Sequence, residues 1–299
     1  MRILLPLALL LLTLKSTAGV THWIDFDLES GHVKIPATIA GIDTHAILDT
    51  GSQVNAINKA FIRKHDLTFD KGTKINIKGV FGTEKKSTFK KIPVSFFGID
   101  TTLEQAIEIS LGHHTNGFLL GAGFFNQFIT QLDYPNSKMR LITHDAIDMT
   151  QFRNIEVRRQ QGTGMPIVKI GLPDDKHLWL LLDTGNSGGM IIERKIAHHM
   201  GWLETLESNA SLSMGAITAA EVESFRIPLL EFGPFTVEDV LVTIPAEGRS
   251  SNLENQYQKF GSRIKGKKVQ GIIGYDVLKH FLITIDYKKG FAHIGLPEE

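Results

Sequence analysis

The sequence contains no cysteine among its 299 residues. That absence excludes disulfide bonds, a cysteine nucleophile, zinc–thiolate sites and a lipid-modified cysteine anchor. Without disulfides, the fold must be stabilised by its hydrophobic core. A chain of this length with 42% hydrophobic residues can build such a core as one or two domains.

The sequence also lacks an excess of charge of either sign. Lys and Arg together number 32, and Asp and Glu together number 32. Arg2 and Lys15 lie in an N-terminal segment that has no acid and that we expect to be removed, so the mature net charge is about −2. This balance gives no electrostatic reason to expect binding to nucleic acid or to a membrane surface.

Long hydrophobic runs are absent except at the N-terminus. Arg2 precedes an apolar run over residues 3–14, and the small residues at 16–18 suit cleavage after Ala18. This pattern predicts a secretory signal peptide over residues 1–18, with an uncleaved membrane anchor as the alternative. We therefore expect an exported protein, periplasmic or extracellular, with no stable membrane insertion after signal cleavage; together with the lack of cysteine, the pattern favours a bacterial source.

One tripeptide, Asp-Thr-Gly, occurs twice, each time at the end of an apolar run. The run 46–48 leads into Asp49, and the run 180–182 leads into Asp183. Each run predicts a buried strand, and the aspartate and glycine predict the turn that ends it. An aspartate at the end of a buried strand is costly to ionise unless neighbouring groups support its charge.

The two tripeptides lie in a longer internal duplication. The segment from Gly121 to Tyr134 matches the segment from Gly274 to Tyr287 in one register without a gap. A duplication of about half the chain predicts two similar lobes, which we place at residues 19–147 and 148–299. Two lobes related by a pseudo-two-fold axis would bring the two aspartates face to face.

Asp-Thr-Gly followed by a hydrophobic-hydrophobic-Gly segment, once per lobe, resembles the pepsin and retropepsin superfamily of aspartic proteases. The resemblance covers nearly all of the mature chain, and the small lobes are closer to retropepsin-like enzymes, here joined in a single chain. It implies an all-β, bilobal acid-protease fold, in which two duplicated β-barrel-like lobes each have one short helix. It also implies an aspartic endopeptidase in which Asp49 and Asp183 share one proton and activate a water molecule against a peptide bond. The alternative is a non-catalytic relative of the same fold that binds peptides or acts as a scaffold.

The resemblance also implies which residues support the site. Thr50 and Thr184 would lock the two motif loops together, and Gly51 and Gly185 would let those loops approach closely. Ser52 would donate a hydrogen bond to Asp49 through its hydroxyl. Asn186 replaces that serine in the second copy, which departs from symmetric support.

A β-hairpin after the first motif is the candidate substrate flap. Alternating segments at 74–79 and 87–94 flank a glycine-bearing tip, and the flap residues are expected to be Gly79, Val80, Phe81 and Gly82. The tip has no tyrosine, unlike the flap of pepsins. A plain surface hairpin is the alternative, because hairpins are common. In the second lobe, residues 215–220 occupy the matching position.

The resemblance implies neither a metal nor any other cofactor, and it implies a monomer whose partner is a peptide or protein substrate. Two adjacent histidine pairs, at 113–114 and 198–199, lack the spacing of a helical zinc site. No phosphate-binding loop, dinucleotide-binding fingerprint or serine-hydrolase elbow occurs in the sequence.

The second copy contains an insertion, mostly within residues 246–270, which is polar and predicts a surface loop. Between Arg249 and Lys268 it has six basic residues and one acid, Glu254. Such a segment could pair with the two aspartates at neutral pH and restrain the enzyme. The alternative is a solvated loop without that role.

Overall fold

A computed structural model describes residues 19–215, 218–254 and 263–297. The predicted signal peptide, residues 1–18, lies outside them, as does the middle of the inserted loop. The described chain is mostly β-structure with short helices, and the expected all-β, two-lobed fold class is confirmed.

The strands before residue 143 are bounded as follows: β1 Ile24–Asp25, β2 Asp27–Glu29, β3 His32–Ile39, β4 Ile42–Leu48, β5 Asn55–Asn58, β6 Asp70–Lys71, β7 Ile75–Gly79, β8 Gly82–Lys86, β9 Thr88–Lys90, β10 Ile92–Phe96, β11 Ile99–Leu103, β12 Ala106–Ile109, β13 Asn116–Leu120, β14 Ile129–Asp133 and β15 Lys138–Ile142. The later strands are β16 Val157–Arg159, β17 Pro166–Leu172, β18 Lys176–Leu182, β19 Met190–Ile192, β20 Asn209–Met214, β21 Ala219–Phe232, β22 Phe235–Pro245, β23 Gly271–Ile273, β24 Leu282–Asp286 and β25 Phe291–Gly295. The helices are α1 Lys59–Lys64, α2 Ala122–Phe125, α3 Met149–Phe152, α4 Arg194–His199, α5 Trp202–Thr205 and α6 Tyr275–Leu278.

Each half of the chain builds its own large sheet. The first half forms a ten-stranded sheet in the order β11-β10-β3-β4-β13-β5-β12-β9-β6, with β2 paired to β3. The second half forms an eight-stranded sheet in the order β16-β17-β18-β23-β19-β22-β21-β20. Both sheets contain the same local arrangement, in which the strand that ends at the motif aspartate, β4 or β18, lies beside a short buried strand.

That shared arrangement matches the sequence duplication residue by residue. In the first half, β4 pairs in parallel with β13, so that Leu48 lies opposite Leu120. In the second half, β18 pairs in parallel with β23, so that Leu182 lies opposite Ile273. In each half the short buried strand also pairs antiparallel with the strand that follows the motif, β5 or β19.

A third, five-stranded sheet joins the two halves, in the order β1-β15-β14-β24-β25. Its central pair is β14 and β24, one strand from each copy, which run antiparallel with Ile129 opposite Asp286 and Asp133 opposite Leu282. Buried side chains from both halves form one large hydrophobic cluster. Burial of apolar surface therefore holds the halves together as well as stabilising each of them.

Local sequence explains the first helix. Asn58 is the N-cap of α1, and its Oδ1 accepts a hydrogen bond from the backbone N–H of Ala60 at 3.0 Å. Phe61 is buried on the inward face of α1, so the helix is fixed by a cap at one end and by packing along its length.

The hairpin after the first motif is present, but its second arm differs from the prediction. The arms are β7 and β8, and Gly79 lies opposite Gly82, so Val80 and Phe81 form a two-residue turn. The predicted arm at 87–94 instead divides into β9 and β10 around Lys91, whose φ of 52° interrupts an extended strand. β10 joins the ten-stranded sheet, which leaves β7 and β8 as a separate two-stranded ribbon.

Candidate active site

The two motif aspartates occupy equivalent positions at the ends of β4 and β18. The backbone N–H of Asp49 donates to the carbonyl of Leu120 at 3.0 Å, and that of Asp183 donates to the carbonyl of Ile273 at 2.9 Å. Each aspartate is therefore fixed by the short buried strand, β13 or β23, that pairs with the strand preceding it. The sequence pattern of an apolar run ending in Asp-Thr-Gly is sufficient to predict this placement.

The carboxyl groups of Asp49 and Asp183 hydrogen-bond to each other. Asp183 is only 9% exposed, and Asp49 is half-buried. A Cβ atom on Gly51 would collide with the Asp183 carboxyl, and one on Gly185 would collide with the Asp49 carboxyl. Both glycines are thus required sterically, because any side chain would displace the opposite carboxyl group.

Thr50 and Thr184 interlock the two motif loops through four hydrogen bonds. The Thr50 hydroxyl donates to the Leu182 carbonyl at 2.6 Å and accepts from the Thr184 N–H at 3.1 Å. Reciprocally, the Thr184 hydroxyl donates to the Leu48 carbonyl at 2.7 Å and accepts from the Thr50 N–H at 3.0 Å. Both threonines are buried, so the bonds are shielded from water and hold the loops in a fixed relation.

Burial dominates the electrostatics of the pair. Loss of hydration raises the pKa of Asp49 above its usual value, although its hydrogen bonds with Asp183 and with the backbone N–H groups of Gly51 and Ser52 oppose the rise. The pKa of Asp183 is raised well above its usual value by burial, and further by the charge on Asp49. Raised pKa values on two neighbouring carboxyl groups favour one proton shared between them, since ionising both is costly.

Ser52 and Asn186 do not act as the sequence suggests. The Ser52 hydroxyl donates its single proton to the Val54 carbonyl at 2.8 Å, so the expected hydroxyl bond to Asp49 is not made. The Asn186 side chain bonds the backbone of Gly188 and Gly189. Both residues instead approach their own aspartate through backbone N–H groups, which makes the support more symmetric than the side chains imply.

The segments beginning at Gly121 and Gly274 cross beneath the motif loops. The N–H of Ala122 donates to the Ser52 carbonyl at 2.8 Å, and the N–H of Tyr275 donates to the Asn186 carbonyl at 2.9 Å. A Cβ on Gly121 would lie 2.7 Å from the Ser52 carbonyl oxygen. Both glycines are therefore required by close backbone approach, since a Cβ on Gly274 would lie 2.3 Å from the Asn186 carbonyl oxygen.

The tip of the β7–β8 hairpin meets two segments of the second half of the chain. The ring of Phe81 lies 3.2 Å from the point where a Cβ on Gly215 would stand, at the tip of the β20–β21 hairpin. Asn252 donates its backbone N–H to the Val80 carbonyl at 2.6 Å and its side-chain amide to the Gly79 carbonyl at 3.1 Å. Gly79, Val80 and Phe81 thus all contact the opposite half.

Asn252 belongs to the described start of the inserted segment, residues 246–254. Its neighbour Leu253 is fully buried, and Arg249 pairs with Glu221 through two hydrogen bonds, at 2.7 and 2.9 Å. The first basic residue of the loop therefore pairs with a β21 carboxylate rather than with the aspartate pair. Among the remaining basic residues, Lys259 lies outside the described chain, and Arg263, Lys265, Lys267 and Lys268 are exposed. The Lys267 ammonium lies 5.8 Å from the centroid of the Trp179 ring. The proposed restraint by these residues stays a hypothesis.

A pocket of about 160 Å³ opens beside the first motif loop. Its lining includes Gln53 and Val54 from that loop, Ile75 from the hairpin base, and Ile107 from β12. The pocket is small and partly apolar, with room for a single side chain.

Two kinds of feature are absent from residues 19–215, 218–254 and 263–297. Within these ranges no group of three or more His, Asp or Glu side chains is arranged to hold a metal ion. Over the same ranges, the structure has no helix with the length and apolar character needed to cross a membrane.

The sequence does not reveal two residues that contact this site. Asn252 lies in a polar insertion without a motif, and nothing in its neighbourhood distinguishes it. Tyr287 donates its hydroxyl to the Thr50 carbonyl at 2.9 Å. Its position at the end of the duplicated segment, matching Tyr134, is the one signal that could have drawn attention to it.

Comparison with known families gives one match. The model of a family described as aspartyl protease matches residues 168–277, a span that contains the second Asp-Thr-Gly and Gly274. Comparison with curated proteins found no significant match. The family match supports an aspartic protease relationship for the second copy of the motif, and the first copy is related to it by the duplicated strands described above.

Proposed function

We propose that this protein is a single-chain aspartic endopeptidase of the pepsin and retropepsin type. The observation that supports it most directly is the buried, hydrogen-bonded pair of Asp49 and Asp183. Paired carboxyl groups with raised pKa values can hold one proton between them, which is the arrangement that general acid–base hydrolysis of an amide requires.

In the proposed reaction, the ionised aspartate takes a proton from a water molecule, which attacks the peptide carbonyl carbon. The protonated aspartate donates a hydrogen bond to the carbonyl oxygen and supports the tetrahedral intermediate. The proton that the first aspartate took from water then passes to the leaving amine as the carbon–nitrogen bond breaks. An extended peptide would lie between the lobes beneath the β7–β8 hairpin, with a side chain in the pocket beside Gln53.

The test is cleavage of a peptide library by the mature chain between about pH 3 and about pH 8. Asp49→Asn and Asp183→Asn should each lower kcat at least about a hundredfold, because each removes one member of an acid–base pair. The double variant should be little worse than either single one, since the two residues act as a unit. Asp43→Asn, the same change at an exposed position of β4, is the matched control and should cleave normally.

Wild-type turnover by either single variant would refute the two-aspartate mechanism. No cleavage by the unmodified protein at any pH, together with measurable peptide binding, would favour the non-catalytic alternative. Pepstatin resistance alone would not decide the question, because the contacts of the hairpin tip differ from those of a tyrosine-bearing flap.

We also propose export and a monomeric state. Gly19 follows the expected cleavage site. Its N–H donates to the Thr143 hydroxyl at 2.9 Å, and its carbonyl accepts from the Thr143 N–H at 2.9 Å. A mature N-terminus at Gly19 would therefore be anchored. N-terminal sequencing of the protein from a periplasmic or culture fraction tests the cleavage, and a full-length cytoplasmic product would contradict it.

A further inference from the structure

The hydroxyl of Tyr287 touches the backbone of the first motif loop from beneath. It donates to the Thr50 carbonyl at 2.9 Å, and the side chain is only 4% exposed. Its ring stacks on Phe125 of α2, with centroids 5.9 Å apart. Packing against α2 thus fixes the ring while the hydroxyl reaches the loop, so the contact is rigid and dry.

The Thr50 carbonyl belongs to the same peptide unit as the Gly51 N–H. That N–H donates to Oδ1 of Asp49 at 2.8 Å. A hydrogen bond accepted by a peptide carbonyl polarises the unit and makes its N–H a stronger donor. Tyr287, the Thr50–Gly51 peptide and the Asp49 carboxylate therefore form one chain of hydrogen bonds, which favours negative charge on Asp49.

The other half lacks this chain. Tyr134 is the counterpart of Tyr287 in the duplicated register and is 2% exposed, but its hydroxyl has no hydrogen-bond partner among the described residues. The Gly185 N–H still donates to Oδ1 of Asp183, at 2.9 Å, but within the described part of the chain no hydroxyl donates to the carbonyl of its peptide unit. The two aspartates have matching direct contacts and differ in the tyrosine beneath them.

We propose that Tyr287 is a positioning residue that favours the ionised form of Asp49 and so leaves the shared proton on Asp183. Asp49 is then the base that takes the proton from water, and Asp183 is the acid that bonds the substrate carbonyl. The catalytic consequence rests on the proposed function, whereas the unequal sharing of the proton does not.

The remaining groups around the pair agree with this assignment. The pKa of Asp183 is raised further by the charge on Asp49, in addition to burial. Burial, followed by the charges of Asp49 and Asp183, raises the pKa of the Tyr287 hydroxyl well above its usual value, so it remains a donor. The other titratable group facing the pair is Tyr134, whose pKa is raised by burial and then by the charges of Asp183 and Tyr275, so its hydroxyl remains neutral.

Tyr287→Phe and Tyr134→Phe form a matched pair of variants, since each removes one buried hydroxyl. Tyr287→Phe should move the acid limb of the pH profile of kcat/KM to higher pH by about half a unit, a loss of about threefold on that limb. KM should be unchanged, because the side chain lies beneath the loop and away from substrate. Tyr134→Phe should leave the acid limb in place, because the Tyr134 hydroxyl bonds none of the residues that the structure describes.

A second variant reverses the sign of the effect. 3-Fluorotyrosine introduced at position 287 keeps the ring and the hydroxyl but makes the hydroxyl a stronger donor, so the acid limb should move to lower pH. This variant also tests the proposal if Tyr287→Phe fails to fold. The assignment would be overturned if the acid limb lay at the same pH in the parent and the fluorinated protein. It would also be overturned if the two Phe variants shifted that limb equally.

Titration of ¹³C-carboxyl-labelled aspartate by NMR separates this inference from the proposed function. In the unmodified protein the first proton should leave Asp49, and in Tyr287→Phe the pKa of that step should rise. This measurement needs no cleavage. An inactive protein with this titration would refute the peptidase proposal alone, and first ionisation at Asp183 would refute the role of Tyr287.

Discussion

Replacement of Thr50 by valine tests whether the interlock of the motif loops stabilises the fold. Valine has nearly the shape of threonine, so the change removes a hydroxyl and creates little cavity. The hydroxyl donates to the Leu182 carbonyl and accepts from the Thr184 N–H, and both bonds are buried. The variant therefore loses two hydrogen bonds and leaves two buried backbone groups without those partners.

The size of the effect follows from those two groups. A buried polar group left unpaired costs about 1–3 kcal/mol, so Thr50→Val should lower the free energy of unfolding by about 3 kcal/mol. With a urea dependence of about 3 kcal/mol per molar, the midpoint should fall by about 1 M. Thr184→Val removes the other two of the four bonds, so a departure of the double variant from the sum of the two single losses would measure the coupling between the loops.

Thr130→Val is the matched control. Thr130 is 1% exposed, and its hydroxyl has no hydrogen-bond partner among the described residues. The same change there removes an unpaired polar atom and should leave stability unchanged or raise it by about 1 kcal/mol. Equal losses in Thr50→Val and Thr130→Val would refute the argument that the interlock contributes stability.

Two further predictions concern pH and the hairpin. The raised pKa of Asp183 makes its ionisation more costly in the folded than in the unfolded chain, so wild-type stability falls as pH rises from about 4 through the raised value. Asp183→Asn removes this loss, so its free energy of unfolding relative to that of wild type should be higher at about pH 7 than at about pH 3, as measured by urea unfolding. A difference that does not change with pH would contradict this prediction. Asn252→Ala removes the side-chain bond to Gly79 and should speed amide exchange at the hairpin tip about fivefold. Asn76→Ala, at an exposed site of the same hairpin, should not, and equal exchange in both variants would show that Asn252 does not restrain the tip.

The strands that hold the aspartates could be predicted because their signal is local. The apolar runs ending at Asp49 and Asp183 are each buried and each stop at a turn, and burial and turn chemistry are both encoded within a few residues. The duplication extends this signal, since a repeated segment implies a repeated structure. The all-β, two-lobed class follows from the same observations.

The details that the sequence did not predict depend on partners far away along the chain. The sequence predicts the second arm of the hairpin at 87–94 rather than at β8, because the alternation continues past Lys86 into β9. Only the pairing of β9 and β10 within the ten-stranded sheet separates them from the hairpin. Ser52 is the exception, because its hydroxyl donates to the Val54 carbonyl only two residues along the chain. Asn252 and Tyr287 act across the two halves, over separations that no local pattern records.

The shared five-stranded sheet also determines when the site can form during synthesis. Its strand β24 and its edge strand β25 are among the last described residues, and Tyr287 lies between them. The loop at Asp49 leaves the ribosome long before the hydroxyl that supports its peptide unit. A nascent chain can therefore fold its first sheet while the aspartate pair is still unassembled. The order of synthesis keeps the proposed hydrolytic chemistry inactive until β24 and Tyr287 have been made.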